Sequence, residues 1–226
     1  MTTAGEHGNA PEMTAPAIKF CGIVDPAGID AAITLRADYV GLVFFPSSPR
    51  HLTHARAAVL AARAGARIAR VGLFVDADDW KIGEAVAAGA LAALQLHGNE
   101  PPERAAAVRA RFGLPVWKAL PVTEPGDLAR AEAYVGAADL VLFDARAPAG
   151  GAMPGGLGLA FDWTLLAGYR APLPWGLAGG LSPDNVAEAV RIAHPPLVDV
   201  SSGIESAPGV KDRNRMTAFA NAARSA

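Results

Sequence analysis

The sequence contains a single cysteine, Cys21, and this scarcity excludes any disulfide within the chain. A reducing, cytoplasmic compartment is therefore expected. An excess of one charge is also lacking, because 20 Lys and Arg side chains stand against 22 Asp and Glu. The formal charge of −2 provides no general attraction for nucleic acid or for an anionic membrane surface. Any anionic ligand must therefore be held by a local site.

Long apolar runs are missing as well, since no uncharged stretch approaches the ~20 residues that a transmembrane helix needs. Residues 1–17 contain no Lys or Arg and no apolar run, so they lack the features of a signal peptide. We expect a disordered tail over 1–17. We expect one catalytic domain over 18–226, because 51% of the chain is hydrophobic and its length allows a sizeable core.

What is present is a regular alternation of short apolar runs with Ala-rich, charge-bearing stretches. The predicted strands are 18–23, 38–45, 68–75, 92–98, 115–120, 139–145, 174–180 and 197–203. The predicted helices are 27–36, 54–65, 78–89, 101–112, 125–136, 162–168, 182–193 and 211–224. This α/β pattern predicts one closed (β/α)8 TIM barrel. A doubly wound sheet is the alternative, although it usually has fewer strands and the GxGxxG turn is absent after the first strand.

Polar residues recur at the carboxyl ends of the predicted strands, where barrels of this kind carry their active sites. Because side chains alternate along a strand, these residues can be sorted by face. They are Lys19 with Cys21, Gln95 with His97, Asp144, and Asp199 with Ser201. If these faces point inward, a lysine, a thiol, an imidazole and two carboxylates converge on one mouth. That is too many polar groups for a purely structural core.

The last two strand ends show a different signal, which is glycine next to small polar residues. Glycine lets backbone N–H groups approach an oxyanion, and loops after the seventh and eighth strands are the usual phosphate site of these barrels. A phosphate site is therefore predicted around Gly179, Gly180, Ser202 and Gly203.

The motifs together resemble the phosphoribosylanthranilate isomerase family of tryptophan biosynthesis. The most specific combination is KxCG, FxxxSPR, QLHG and DVSSGxE, and the matching segments cover essentially the whole chain after the tail in family order. They are 19–23, 37–52, 71–75, 94–100, 142–145, 154–163, 177–190 and 198–212. The resemblance implies an Amadori rearrangement of a phosphoribosyl aminoaldose to an aminoketose, with no cofactor or metal.

By this resemblance Cys21 is the general base, Asp144 the general acid, and Arg50 the contact for the anthranilate carboxylate. His97 and Asp199 match further substrate-binding positions. Ring opening needs a protonated acid at the ribose ring oxygen, and the resulting Schiff base acidifies the neighbouring C2 hydrogen. A thiolate takes that hydrogen, because a neutral thiol has no useful basicity. Arg50 suits a bidentate carboxylate contact that lysine cannot reproduce.

Some positions depart from the family pattern. Val24-Asp25 stands where a Thr-Arg type pair is common, Ala27-Gly28 where an acidic pair is common, and Leu157 where a polar residue is usual. These departures keep one alternative open, a non-catalytic phosphate-binding barrel. A second alternative is a broad-specificity aminoaldose isomerase that also serves histidine biosynthesis, although such enzymes have aspartate where Cys21 stands.

Several residues also have plain structural interpretations. Cys21 can be a small buried hydrophobe, and Lys19 with Asp199 can be a structural ion pair inside the barrel. The Gly- and Pro-rich segment 145–161 is the one long connection predicted, and such loops are usually functional or disordered. The expected partner is a small-molecule substrate, with no nucleic acid and no membrane, and the chain is expected to be a monomer or a homodimer.

Overall fold

The computed structural model describes residues 15–145 and 161–226. Most of the predicted tail and of the connection 145–161 therefore lies outside the described residues, as does Leu157. The first strand begins at Ala17, the residue that the sequence assigns to the end of the tail.

A closed parallel barrel of eight strands forms the centre of the molecule, and it confirms the predicted fold class. The strands are β1 Ala17–Cys21, β2 Tyr39–Val43, β3 Ala69–Phe74, β4 Ala93–Leu96, β5 Val116–Val122, β6 Leu140–Ala145, β7 Trp175–Leu177 and β8 Leu197–Val200. Each lies within or within two residues of a predicted run. Strand β1 pairs with both β2 and β8, which closes the barrel.

Helical segments follow the strands. The α-helices are α1 Pro26–Thr34, α2 His54–Ala64, α3 Asp79–Gly89, α4 Pro102–Phe112, α5 Val186–Ala193 and α6 Arg213–Arg224. Two predicted helices are 3-10 helices instead, at Pro125–Tyr134 and Trp163–Leu166, and a further short one covers Ser202–Ile204. In the described part of the chain, no helix is long and apolar enough to cross a membrane.

The interior of the barrel is filled in layers by strand side chains. One layer joins Val71, Ala93, Trp117, Leu142 and Leu197 from five different strands. The rings of Tyr39 on β2 and Trp117 on β5 meet edge to face at 5.0 Å. Residues of non-neighbouring strands touch in this way only across the inside of a barrel. This apolar layer fills one end of the barrel interior, and the opposite end is left for polar groups.

Two further strands lie between β8 and α6 and were not predicted. Strands β9 Glu205–Ala207 and β10 Val210–Lys211 form an antiparallel hairpin in which Lys211 is the register partner of Glu205. The sequence places Lys211 at the start of the last helix, but the helix begins at Arg213 because Asp212 accepts hydrogen bonds from the backbone N–H groups of Asn214 and Arg215. The hairpin brings two charged side chains to the mouth of the barrel.

Candidate active site

A cavity opens at the carboxyl ends of the barrel strands. Its volume is about 690 Å³, including the part open to solvent. Eight of the nine predicted site residues line it, namely Cys21, Arg50, His97, Asp144, Gly179, Gly180, Asp199 and Ser202. The ninth, Gly203, lies outside the cavity wall. The chain therefore gathers residues up to 181 positions apart in sequence into one mouth.

The ion pair of Lys19 and Asp199 lies on the floor of this mouth. Lys19 Nζ is 2.7 Å from Asp199 Oδ2, and neither side chain reaches solvent to more than 7%. Burial alone lowers the pKa of Lys19, but the charges of Asp199 and Cys21 outweigh it and hold that pKa above its ordinary value. Lys19 is therefore a permanent cation two residues before Cys21 on the same strand.

The thiol of Cys21 is buried where β1 ends, in contact with Val43 and Leu73. Gly41, its register partner on β2, makes room for it, since a Cβ at this position would lie 2.6 Å from Cys21 Sγ. Burial raises the pKa of Cys21, and the positive charges of Lys19 and Lys211 only partly offset it. The thiol is thus the ground state, and its thiolate depends on nearby cations.

A chain of three side chains links β4 to β6. His97 Nε2 lies 3.1 Å from Asp144 Oδ2, and its other ring nitrogen, Nδ1, lies 2.9 Å from Gln95 Nε2. Gln95 is fully buried and lines the same cavity. The sequence puts Gln95 and His97 on one face but does not single out Gln95 as a site residue.

The loop that follows β4 is fixed by a buried ion pair. Glu100 accepts hydrogen bonds from the backbone N–H groups of Asp76 and Gly98, at 2.8 and 2.9 Å, and from Lys118 Nζ at 3.1 Å. Lys118 also donates to the carbonyl of Gly98 at 2.7 Å. Burial lowers the pKa of Lys118, and Glu100 opposes that shift. The pair anchors the residue that directly follows His97.

Arg50 is held by a carboxylate of the protein itself. Its Nε and Nη2 atoms each lie 2.8 Å from one oxygen of Glu205, and Glu205 Oε1 also accepts from Lys211 Nζ at 2.7 Å. Burial alone raises the pKa of Glu205, but Arg50 and Lys211 outweigh it and hold that pKa below its ordinary value. Sequence reasoning missed the contacts of Glu205 with Arg50 and Lys211, although Glu205 is the acidic residue of DVSSGxE.

The stem of Arg50 packs on the residue after the proposed base. Gly22 has φ +75°, and a Cβ there would lie 2.5 Å from Arg50 Cδ. One edge of the guanidinium faces Glu205, so Arg50 is positioned before any ligand arrives. Preorganisation of this kind reduces the entropy lost on binding.

The predicted phosphate residues lie in two loops that touch. Gly179 and Gly180 follow β7 with φ values of +82° and +65°, and a Cβ on Gly203 would collide with the carbonyl of Leu181. The helix after β7 begins at Val186, not at Ser182 as predicted, because residues 183–185 form a turn that Asn185 closes by accepting from Ser182 N at 2.8 Å. The glycine backbone, rather than a helix end, therefore faces the cavity.

The departures near β1 have a local role. Asp25 is the N-cap of α1, and its Oδ1 accepts from Gly28 N at 2.7 Å. Gly28 packs against Ile23, where a Cβ would lie 2.9 Å from Cγ2. These residues start the helix and do not line the cavity. Within the described ranges no group of three His, Cys, Asp or Glu side chains could hold a metal ion.

The sequence model of the family described as N-(5'-phosphoribosyl)anthranilate (PRA) isomerase matches residues 18–222. This chain belongs to that family. The N-(5'-phosphoribosyl)anthranilate isomerase of Paramagnetospirillum magneticum is 53% identical over 207 residues, which cover 92% of this chain and 96% of the relative. The family resemblance inferred from the motifs is confirmed.

Solved structures of phosphoribosylanthranilate isomerases share the fold. One, in complex with reduced 1-(o-carboxyphenylamino)-1-deoxyribulose 5-phosphate, has a TM-score of 0.81 and 32% identity, and covers 93% of this chain and all of its own. Another contains monomers generated from the dimeric enzyme of Thermotoga maritima, with a TM-score of 0.80, 33% identity and the same coverage. Within this family, the mouth lined by Cys21 and Asp144 is the candidate active site.

Proposed function

We propose that this chain converts N-(5'-phosphoribosyl)anthranilate to 1-(2-carboxyphenylamino)-1-deoxyribulose 5-phosphate in tryptophan biosynthesis, with 18–226 as its catalytic domain. The observation that carries the proposal is one cavity lined by a thiol, a carboxyl, an arginine and a glycine loop. These are the groups that a phosphorylated aminoaldose with an anthranilate ring requires: a base, an acid, a carboxylate contact and a phosphate contact.

The reaction starts at the ribose ring. Asp144 gives its proton to the ring oxygen, the bond from that oxygen to C1 breaks, and the nitrogen lone pair forms the Schiff base. Cys21 thiolate then takes the C2 hydrogen, and the C–H electrons move toward the imine to give an enolamine. The enolamine tautomerises to the ketone. Asp144 on β6 and Cys21 at the end of β1 both line the cavity, so acid and base face a substrate bound there.

Binding falls to the remaining residues. Arg50 faces the anthranilate carboxylate, and the backbone of Gly179 and Gly180 faces the phosphate. Ser202 and Gly203 complete the phosphate loop, Ser202 in the cavity wall and Gly203 beneath it against Leu181. Asp199 Oδ1 is buried without a hydrogen-bond donor among the described residues, so it offers an acceptor to a substrate hydroxyl.

The proposed thiol base favours a cytoplasmic location for the enzyme. A thiol base must stay reduced, which a cytoplasmic compartment ensures.

The Thermotoga maritima relative is described as dimeric. We propose a homodimer for this chain, which sedimentation equilibrium or light scattering tests.

The deciding experiment follows the fluorescence of phosphoribosylanthranilate with wild type, Cys21→Ala and Asp144→Asn. Loss of fluorescence with wild type and its abolition in both variants is the expected result. No turnover by any of the three proteins would overturn the proposal, and retained phosphate binding would then point to the binding-only barrel. Turnover of the histidine-pathway aminoaldose at a comparable rate would instead support the broad-specificity alternative.

A further inference from the structure

Gln95 is the buried polar residue of the cavity that the mechanism above does not use. It lies on β4, is 0% exposed, and lines the cavity together with His97 and Asp144. Its amide nitrogen contacts His97 Nδ1 at 2.9 Å. Its amide oxygen has no hydrogen-bond partner among the described residues. A buried polar group that lacks a hydrogen-bond partner costs folding free energy, so the position of Gln95 in the cavity wall calls for a functional explanation.

The contact with Gln95 selects one tautomer of His97. An amide NH2 group can only donate, so Nδ1 must accept, and the ring proton of neutral His97 then sits on Nε2. The reversed amide would leave two buried N–H groups without a partner among the described residues, whereas the observed orientation leaves one N–H and the carbonyl oxygen. Orphaned buried N–H groups are the rarer of the two, so the observed orientation is favoured.

In the Nε2–H tautomer, His97 presents a hydrogen-bond donor to the carboxyl group of Asp144. His97 Nε2–H points at Asp144 Oδ2 over 3.1 Å, so Oδ2 acts as an acceptor. The other oxygen, Oδ1, lies against Gly179 in the loop after β7, where a Cβ would be 2.6 Å from it. Oδ1 is therefore the carboxyl oxygen that can carry a proton.

We infer that Gln95 is a positioning residue for the proposed acid: its amide holds His97 as the Nε2–H tautomer, and His97 thereby directs the exchangeable proton of Asp144 to Oδ1. The inference rests on the proposed function, because it gives Gln95 a part in the ring-opening step. The donated Nε2–H also stabilises the carboxylate that remains once the proton has moved to the ring oxygen.

The other charged side chains near the His97 ring are paired with partners other than the ring. Among the described residues Asp144 is the titratable group hydrogen-bonded to His97, and the neighbouring Lys118 and Glu100 pair with each other at 3.1 Å. In the described part of the cavity wall, the other charged or titratable residues are Cys21, Arg50 and Asp199. Of these, Arg50 is held by Glu205 and Asp199 by Lys19.

The test begins with the wild-type protein. Nitrogen-15 NMR of histidine-labelled protein distinguishes the two tautomers, and the His97 ring among the five histidines is identified by its absence from His97→Asn. We expect the Nε2–H tautomer in wild type and a mixture of tautomers in Gln95→Met, which keeps the size of the side chain but removes the donor. The Nδ1–H tautomer in wild type, or an unchanged tautomer in Gln95→Met, would overturn the inference.

Kinetics supplies the second readout. In Gln95→Met we expect kcat to fall roughly tenfold with little change in KM, because the acid and not the binding groups is affected. In Gln95→Glu the carboxylate accepts from Nδ1–H and favours the imidazolium, which stabilises ionised Asp144. Since ionised Asp144 has no proton to give, kcat should fall at least as far as in Gln95→Met, and a wild-type kcat in Gln95→Glu would count against the inference.

The two hypotheses fail separately. The NMR result needs no substrate, so a wrong tautomer with normal wild-type turnover would overturn the role of Gln95 and leave the proposed function intact. The expected tautomer in a wild-type protein that turns over no substrate would overturn the catalytic part of the inference together with the proposed function.

Discussion

Lys19 and Asp199 are register partners on the neighbouring strands β1 and β8, and Lys19 Nζ lies 2.7 Å from Asp199 Oδ2. The two side chains therefore form a buried ion pair between neighbouring strands. The pair is also part of the cavity, because Asp199 lines it and Cys21 follows Lys19 on the same face. Cation and anion act on the thiol with opposite sign, since Lys19 lowers the pKa of Cys21 and Asp199 raises it.

Substitutions in this pair should therefore move the ionisation of Cys21 in opposite directions. Lys19→Met removes the nearest cation and should raise the pKa of Cys21, so that thiolate forms only at higher pH. Asp199→Asn removes an anion, leaves Lys19 to the thiol alone, and should lower that pKa. The rate of alkylation as a function of pH reports the thiolate directly, because Cys21 is the single cysteine.

Lys81→Met is the control, since Lys81 pairs with Asp78 on the exposed surface of α3. It should leave the alkylation profile unchanged. Breaking a buried ion pair costs about 3–5 kcal/mol, so urea unfolding must show that both variants are folded at the alkylation temperature. Shifts of the same sign in Lys19→Met and Asp199→Asn would indicate general damage and not electrostatics.

Arg50→Lys should weaken substrate binding while preserving charge. Lysine cannot reproduce a bidentate fork, and a hydrogen bond to a charged group is worth about 1.5–3 kcal/mol, so kcat/KM should fall roughly 10- to 100-fold. Arg63→Lys is a matched control, because Arg63 makes the same fork to Asp30, at 2.7 and 2.6 Å, on the exposed surface. Steady-state kinetics that change equally in both variants would contradict the role of Arg50.

The stability that Glu205 contributes to the folded protein should be lost at low pH. Its pKa is below the unfolded value in the folded state, so the stability it contributes is present above the unfolded pKa and is lost as pH falls through the folded pKa. The affected window lies below about pH 4.3, the ordinary glutamate value. Glu205→Gln removes the carboxylate that Arg50 and Lys211 share, so it should cost about 3–5 kcal/mol at neutral pH and nothing further in that window. Urea midpoints measured across pH would show the two curves converging in acid, and parallel curves would contradict the prediction.

The alternation of strands and helices was readable because a closed parallel barrel needs a buried β-rich run in every unit. All eight strands were located in this way, and so was the convergence of Cys21, His97 and Asp144 at one mouth. What periodicity does not distinguish is the 3-10 helix at Pro125–Tyr134 from an α-helix, since ten residues fit either spacing.

The contacts of Glu205 with Arg50 and Lys211 could not be predicted from the sequence, for a different reason. Arg50 and Glu205 are 155 residues apart, and Lys211 reaches them only because residues 205–211 fold into a hairpin. The hydrogen bond from Gln95 to His97 depends in turn on the ring orientation of His97, which strand alternation does not define. Alternation identifies which side chains share a face, whereas contact depends on their rotamers and on the loops.

Gly179 provides the sharpest test of the phosphate loop, because a side chain there meets two obstacles. At φ +82° any L-residue is strained, and a Cβ would collide with Ala145 N and lie 2.6 Å from Asp144 Oδ1. Gly136 isolates the first effect, since it has φ +78° and no atom of the described residues lies within 4 Å of the position that a Cβ would occupy. Gly136→Ala should therefore cost only about 1–2 kcal/mol of folding free energy and leave catalysis unchanged.

Gly179→Ala should lose that stability and in addition displace the loop and the carboxyl of Asp144. We expect inorganic phosphate to inhibit this variant at roughly 10-fold or more higher concentration, because backbone donors to an anion move away. We expect kcat to fall as well, since Asp144 is pushed from its place beside His97. The test measures two quantities for both alanine variants: kcat, and the inhibition constant of inorganic phosphate. Wild-type phosphate inhibition in Gly179→Ala would place the phosphate elsewhere in the cavity.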